Sequence, residues 1–182
     1  NLNTIPAPIS YLDPDPEQLR LWRDRIGQEG FRVGIVWAGR PEHENDHHRS
    51  CALENFMPLE QMEGIRLYGL QKGEAARQLR KLPNRKTVEN LGEDFENFAD
   101  TAGAVANLDL VISVDTAVAH LAGTMGKPVW LLLPFAPDWR WLLDREDSPW
   151  YPSMRLYRQK SRGDWPEVFQ RLASDLENLN TR

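Results

Sequence analysis

The chain has 182 residues, enough to bury a sizeable core but short for two full domains. Its 22 Lys and Arg against 27 Asp and Glu leave a formal net charge of -5, and no basic block runs along it, which excludes a nucleic-acid platform. The single Cys51 excludes an intrachain disulfide framework, and no apolar run approaches the roughly 20 residues of a membrane span, so a soluble, cytoplasmic protein is expected.

The first sixteen residues carry Pro6, Pro8, Pro14 and Pro16 and suit an extended linker arm rather than a packed element. Asp13-Pro14-Asp15 resembles the acidic triplet of metal-dependent glycosyl transfer. It precedes a helix rather than following a strand, so helix capping is the better account. Leu19, Trp22 and Ile26 sit at helical spacing in a short helix over 17–27. Strands are expected over 32–38, 66–71, 88–91, 110–114, 128–133 and 154–157. Between them, helical patterns fall over 53–62, 74–82, 98–108 and the segment after Asp115. A final helix over 166–179 has Asp164 and Glu167 as a capping box and turns Val168, Leu172 and Leu176 inward. Strands alternating with helices of this length imply right-handed crossovers. The expected fold class is α/β, a Rossmann-like, mostly parallel sheet with helices on both faces. The arm and first helix, residues 1–27, would lead into one domain over 28–182.

Residues 110–126, LVISVDTAVAHLAGTMG, are the most informative stretch. A buried strand ends at Asp115-Thr116, and the chain then turns helical, with Val118, Leu121, Ala122 and Met125 on one face and Thr116 and His120 roughly opposite. A carboxylate, a hydroxyl and an imidazole thus gather where open α/β sheets bind ligands and where helix N–H groups favour phosphate. A parallel sheet brings other strand-end loops to the same edge. They carry Gly39 with Arg40 and Arg49, then Gln71-Lys72-Gly73, then Asp100 and Thr101, then Asp138 and Trp139. Glycine allows close approach, cations and a helix N-terminus meet phosphate, and amide or carboxylate groups meet ribose, so these loops together suit a nucleotide diphosphate. His43, Glu44, Asp46, His47 and His48 do not have the spacing of a metal set, and they form a solvated loop with Arg40 and Arg49 turned to phosphate. Trp139 and Trp141 either stack on a base or seal a domain edge. Cys51 is a small buried residue rather than a nucleophile.

Residues 37–50 (WAGRPEHENDHHRS), 67–73 (LYGLQKG), 97–134 (NFADTAGAVANLDLVISVDTAVAHLAGTMGKPVWLLLP) and 137–159 (PDWRWLLDREDSPWYPSMRLYRQ) resemble the C-terminal part of bacterial tetratricopeptide-repeat glycosyltransferases. That family is similar to lipopolysaccharide heptosyltransferases and, more remotely, to O-GlcNAc transferase. The likeness takes in Thr4-Ile5-Pro6, which in such proteins follows the first lobe. Asp115-Thr116-Ala117 stands where heptosyltransferases have Asp-Thr-Gly, and the added Cβ narrows backbone approach at residue 117.

The resemblance implies the donor lobe of a two-lobed GT-B glycosyltransferase, of hexosyl- or heptosyltransferase type. Asp115, Thr116, Ala117 and His120 would line the diphosphate and sugar site, with Arg49 the basic residue near the phosphates. Gln71 and Lys72 match a donor-contacting strand end only approximately. Asp100, Thr101, Asp138 and Trp139 are left as contacts to base or ribose. The catalytic base is expected in the acceptor lobe, and the isolated donor lobe is expected to be inactive. No metal and no cofactor are expected, the nucleotide-sugar being substrate. The expected partners are that substrate, an N-terminal acceptor lobe and tetratricopeptide repeats of the parent chain, with self-association a further expectation. A non-catalytic nucleotide-binding scaffold and a nucleotide-sugar epimerase share the architecture and stay open as alternatives.

Overall fold

The structure, a computed structural model, describes residues 1, 4–82 and 88–180. Of the expected 28–182 unit, residues 83–87, 181 and 182 lie outside that range. Asp15 accepts from the N–H groups of Glu17 and Gln18 and so caps α1 (Pro16–Ile26), where Pro16 costs no hydrogen bond. The chain continues through β1 (Phe31–Val36), α2 (Asp46–Arg49), α3 (Met57–Glu60), β2 (Ile65–Gly69), β3 (Val88–Asn90), α4 (Phe98–Ala106), β4 (Leu110–Val114), α5 (Ala117–Thr124), β5 (Val129–Leu133), β6 (Met154–Arg158) and α6 (Trp165–Asn180). All six strands pair in parallel, in the order β3-β2-β1-β4-β5-β6. That is the doubly wound, Rossmann-like arrangement expected from the sequence, with its topological switch between β1 and β4.

Side chains alternate across the sheet and build a core on each face. Val33, Ile35, Leu110, Ile112 and Leu132 point to the side covered by α3 and α6, where Val168, Leu172 and Leu176 lie buried as expected. Tyr68, Val111, Val129, Leu131 and Leu133 point to the side covered by α1, α4 and α5. Trp22 and Ile26 of α1 belong to this second core.

Two expected α-helices take a tighter form. Residues 53–62 form a 3-10 helix, Leu53–Phe56, followed by the short α3, and Glu74–Lys81 is 3-10 throughout. The buried residues explain this, because Leu53, Phe56 and Leu59, and likewise Ala76, Leu79 and Leu82, recur every third position. A period of three matches the 3-10 helix and would drift around an α-helix. Pro58 also removes an N–H early in α3. In α5 the buried positions are Ala119, Ala122 and Gly123; Ala122 belongs to the expected face, Val118 and Met125 of that face pack against the core half-buried, and Ala119 and Gly123 shift the buried side by one step. Small residues let this helix lie close, and a Cβ on Gly123 would stand 2.7 Å from the Tyr151 ring. At α6 only half of the expected capping box forms. Glu167 N–H donates to Asp164 Oδ1 at 3.2 Å, while the Glu167 carboxylate pairs with Arg171 and Lys160.

Candidate functional site: a cleft at the sheet switch point

A cleft of about 590 Å³ opens over the carboxyl ends of β1, β2 and β4. It gathers Gly39, Arg49, Gln71, Lys72, Thr101, Thr116 and Ala117, together with Arg40, His43 and Val118. Seven of the twelve residues singled out from the sequence therefore meet at one place, at the switch between β1 and β4. The floor is α5, whose N-cap, Thr116, makes no side-chain bond to the helix. The first-turn N–H groups have no partner within the helix, and Ala117 and Val118 at that turn line the cleft. Thr116 Oγ1 lies 3.0 Å from Ser113 Oγ, which itself donates to the Val114 carbonyl at 2.7 Å.

The walls carry positive charge. Arg49 pairs with Asp46 at 3.0 Å and donates through Nη1 to the Asp115 carbonyl at 3.1 Å, bridging the β1 and β4 loops across the switch. Gly39 makes room for this pair. A Cβ there would stand 2.3 Å from both Arg49 Nη2 and Asp46 Oδ1. Lys72 donates from Nζ to the Phe95 carbonyl, which uses one of the three donors of an ammonium. Arg40, 3.8 Å from the Glu42 carboxylate, and His43 add two further basic side chains, and Glu96 contributes a carboxylate to the wall.

Gln71 lines the cleft and is also bonded within the chain. Its Oε1 accepts from Trp37 and Ala38 N–H at 3.1 and 2.9 Å, and its Nε2 donates to the Ala38 and Lys72 carbonyls. These bonds fasten the end of β1 to that of β2, so Gln71 shapes the cleft without offering polar atoms to a ligand. Asp100 is spent in the same way. Its Oδ2 accepts from Glu96 and Asn97 N–H at 2.7 and 3.0 Å, completing a capping box with Asn97 at the head of α4. Thr101 is buried and donates its hydroxyl to the Asn97 carbonyl at 3.3 Å. Asp138 caps a 3-10 turn, Trp139–Trp141, and pairs with Arg140 at 3.1 Å.

Asp115 and His120 form a unit beside the cleft. Asp115 Oδ2 accepts from Trp141 Nε1 at 2.9 Å, and Oδ1 stands 3.4 Å from His120 Nε2. Burial pushes this carboxyl up, but hydrogen bonds from His120 and Trp141 and the positive charge of His120 and Arg140 outweigh it. The net result holds Asp115 below the ordinary carboxylate range. His120 stacks on Trp141 and places Nδ1 2.9 Å from the Tyr151 hydroxyl. It lines a second cleft with Trp139, Trp150 and the arm, apart from Thr116 and Ala117. The two tryptophans separate accordingly, Trp141 fully buried and Trp139 73% exposed. Sequence reasoning missed Tyr151 and Ser113. Ser113 was legible as a lone polar residue in an apolar strand, whereas Tyr151 meets His120 across 31 residues and leaves no local signal. Among the described residues no three His, Cys, Asp or Glu side chains gather as metal ligands would, and no helix is long and apolar enough to cross a membrane.

A parallel sheet in this order is a Rossmann-like fold, and it matches one lobe of solved heptosyltransferases. Solved structures agree at the level of the fold. Escherichia coli ADP-heptose lipopolysaccharide heptosyltransferase II superposes with a TM-score of 0.69 at 17% identity, over 97% of this chain and 56% of that one. Escherichia coli heptosyltransferase WaaC with ADP gives 0.60 at 14% identity, over 97% and 53%. In sequence, protein FlbA of Caulobacter vibrioides is 26% identical over 184 residues, covering 96% of this chain. The chain spans 30% of the length of FlbA. No protein-family model matches it.

Proposed function

We propose that this chain is a donor lobe that binds a nucleoside-diphosphate sugar for a metal-independent glycosyl transfer. The observation that carries this reading is the uncapped first turn of α5 opening into a cleft whose wall holds Arg49 and Lys72. Helix N–H groups and fixed cations offset the charge of a diphosphate leaving group without reorganising as it departs. The WaaC structure contains ADP, which supports the same ligand class here. An acceptor lobe and tetratricopeptide repeats in a parent chain complete the proposal, with the cytoplasm as its place of work. The commitment of Asp115 and His120 to each other, rather than to the cleft, favours a second reading as a nucleotide-binding scaffold without transfer.

Thermal shift and titration calorimetry with ADP, UDP, GDP and CMP, and with their sugar conjugates, test the reading. One nucleoside-diphosphate series should raise the melting temperature by mass action. Thr116→Val should weaken that ligand by about 1–2 kcal/mol, the scale of one charge-assisted hydrogen bond, with little loss of stability. No stabilisation by any nucleotide would overturn the reading.

A further inference from the structure

The arm is tied to α5. The N–H groups of Tyr11 and Leu12 both donate to the Thr124 carbonyl, at 3.0 and 3.3 Å. Gly126 lies so close to the arm that a Cβ would stand 2.6 Å from the Ile9 carbonyl oxygen. Tyr11 and Tyr151 both line the second cleft of about 600 Å³ together with Trp139 and Trp150, and after burial the Tyr11 phenol is the next influence that pushes the Tyr151 hydroxyl up. From Tyr151 the polar path continues inward through His120 Nδ1 at 2.9 Å and from His120 Nε2 to Asp115 at 3.4 Å. A carboxylate only accepts, so the Nε2 facing Asp115 carries a proton, while Nδ1 shares a hydrogen bond with the Tyr151 hydroxyl. Asp115 is also the residue whose carbonyl holds Arg49, and Thr116 and Ala117 follow it into the switch-point cleft.

We propose that Tyr11 and Tyr151 are positioning residues that couple the docked arm, through His120 and Asp115, to the loop opening the switch-point cleft. The inference rests on the reading of that cleft as a diphosphate site. The arm is suited to such coupling because its attachment is slight. Ile9 is 71% and Tyr11 58% exposed, so undocking the arm would cost far less than unfolding the sheet. Docking orients Tyr151, which fixes the ring of His120, which holds the carboxylate at the head of α5. Releasing the arm loosens that chain and lowers the affinity of the cleft for its ligand. In an intact two-lobed enzyme, an arm between lobes would thereby report their relative position to the donor site.

The test uses the 182-residue chain labelled with nitrogen-15, with ADP and UDP as probes. Tyr151→Phe keeps the ring and removes the hydroxyl, and it should shift the His120 Nδ1 resonance and the backbone amides of Thr116 and Ala117. Tyr11→Ala should move the same amides in the same direction. Each variant should weaken the nucleotide that binds by about threefold, and the double variant should be no weaker than Tyr151→Phe alone, the non-additivity expected of one pathway. Amides of Thr116 and Ala117 that stay fixed in Tyr11→Ala overturn the coupling, whatever the ligand does. If Thr116→Val weakens binding while both tyrosine variants bind as the wild type does, the coupling fails and the diphosphate site stands. If no nucleotide binds the wild type yet the amides still respond to the arm, the coupling stands and the diphosphate reading fails.

Discussion

Asp115 is a buried carboxylate that stays charged because three neighbours make the charge worth keeping. The Trp141 indole N–H and the His120 ring N–H point at its two oxygens, and Arg140 adds positive charge. A carboxyl held below its ordinary range contributes stability that is complete above the unfolded-state value and is lost as pH falls through the folded one. Asp115→Asn keeps the shape and an acceptor for Trp141 but removes the charge opposite His120. It should cost about 1–3 kcal/mol at neutral pH and flatten part of the acid limb of the stability curve, as followed by urea unfolding between about pH 3 and pH 7. An unchanged acid limb would mean that Asp115 is not held low. At this scale the sequence was legible wherever chemistry and spacing coincided locally, as in Asp115-Thr116 before a helix. It was not legible for Gln71 or Asp100, whose residue types fit a ligand equally well. The backbone N–H groups that occupy Gln71 come from 33 and 34 residues away.

The elements that frame the cleft are held by close backbone approach as much as by apolar burial. Helices α1 and α4 cross at Gly103, where a Cβ would stand 2.8 Å from both the Gln18 carbonyl oxygen and the Trp22 ring. Beside that crossing Asn107 Nδ2 donates to the carbonyls of Leu19 and Gly103, at 2.9 and 2.8 Å, and joins the two helices. Gly103→Ala should therefore push α1 outward and destabilise the chain by about 1–3 kcal/mol despite alanine's better helix propensity, as measured by denaturant midpoint. A stabilised variant would show that the crossing can relax. Element type followed from hydrophobic period for every strand and for α1, α4 and α6. The period of three in residues 53–59 and 76–82 was equally present in the sequence, and an α-helical template absorbed it. The face of α5 was displaced because pattern reading favours large apolar residues, while this helix buries its small ones against the sheet and Tyr151.

Taken whole, the molecule is built on a parallel sheet with its candidate chemistry at one edge, where Phe98, 62% exposed, lines the cleft, while other exposed apolar side chains lie elsewhere. Trp139, Leu143 and Ile9 are 73%, 67% and 71% exposed, outside the switch-point cleft. The architecture was readable because alternation of strands and helices leaves few allowed topologies, and the handedness of crossovers then places every strand-end loop on one side. Which loops meet there depends on strand order, which sets Trp139 apart from Thr116, while His120, one turn from Thr116 on α5, turns its ring to Trp141 and Tyr151. Two expectations belong to this scale. The cleft supplies its own positive charge through Arg40, Arg49 and Lys72 and the head of α5, so nucleotide affinity should be the same in EDTA and in excess magnesium or manganese. A tenfold loss on chelation, about 1.4 kcal/mol, would show that an ion shares the phosphate charge. The second concerns transfer. A glycosyl transfer must hold an acceptor hydroxyl behind the anomeric carbon and give it a base. Beside the cleft the Asp46 carboxylate is paired with Arg49, and Asp115 is held by Trp141 and His120. Neither is placed to take a proton, which leaves His43 and Glu96 as the other titratable acid or imidazole side chains lining the cleft. The superposed heptosyltransferase II extends well past this fold, which corresponds to 56% of its chain. The 182-residue chain should accordingly bind a nucleotide-sugar and release no nucleoside diphosphate when an acceptor saccharide is added, whereas the same chain joined to an acceptor lobe should release it only when acceptor is present. Steady, acceptor-dependent release by the chain alone would show that the lobe holds a complete active site and that the donor-lobe reading is wrong.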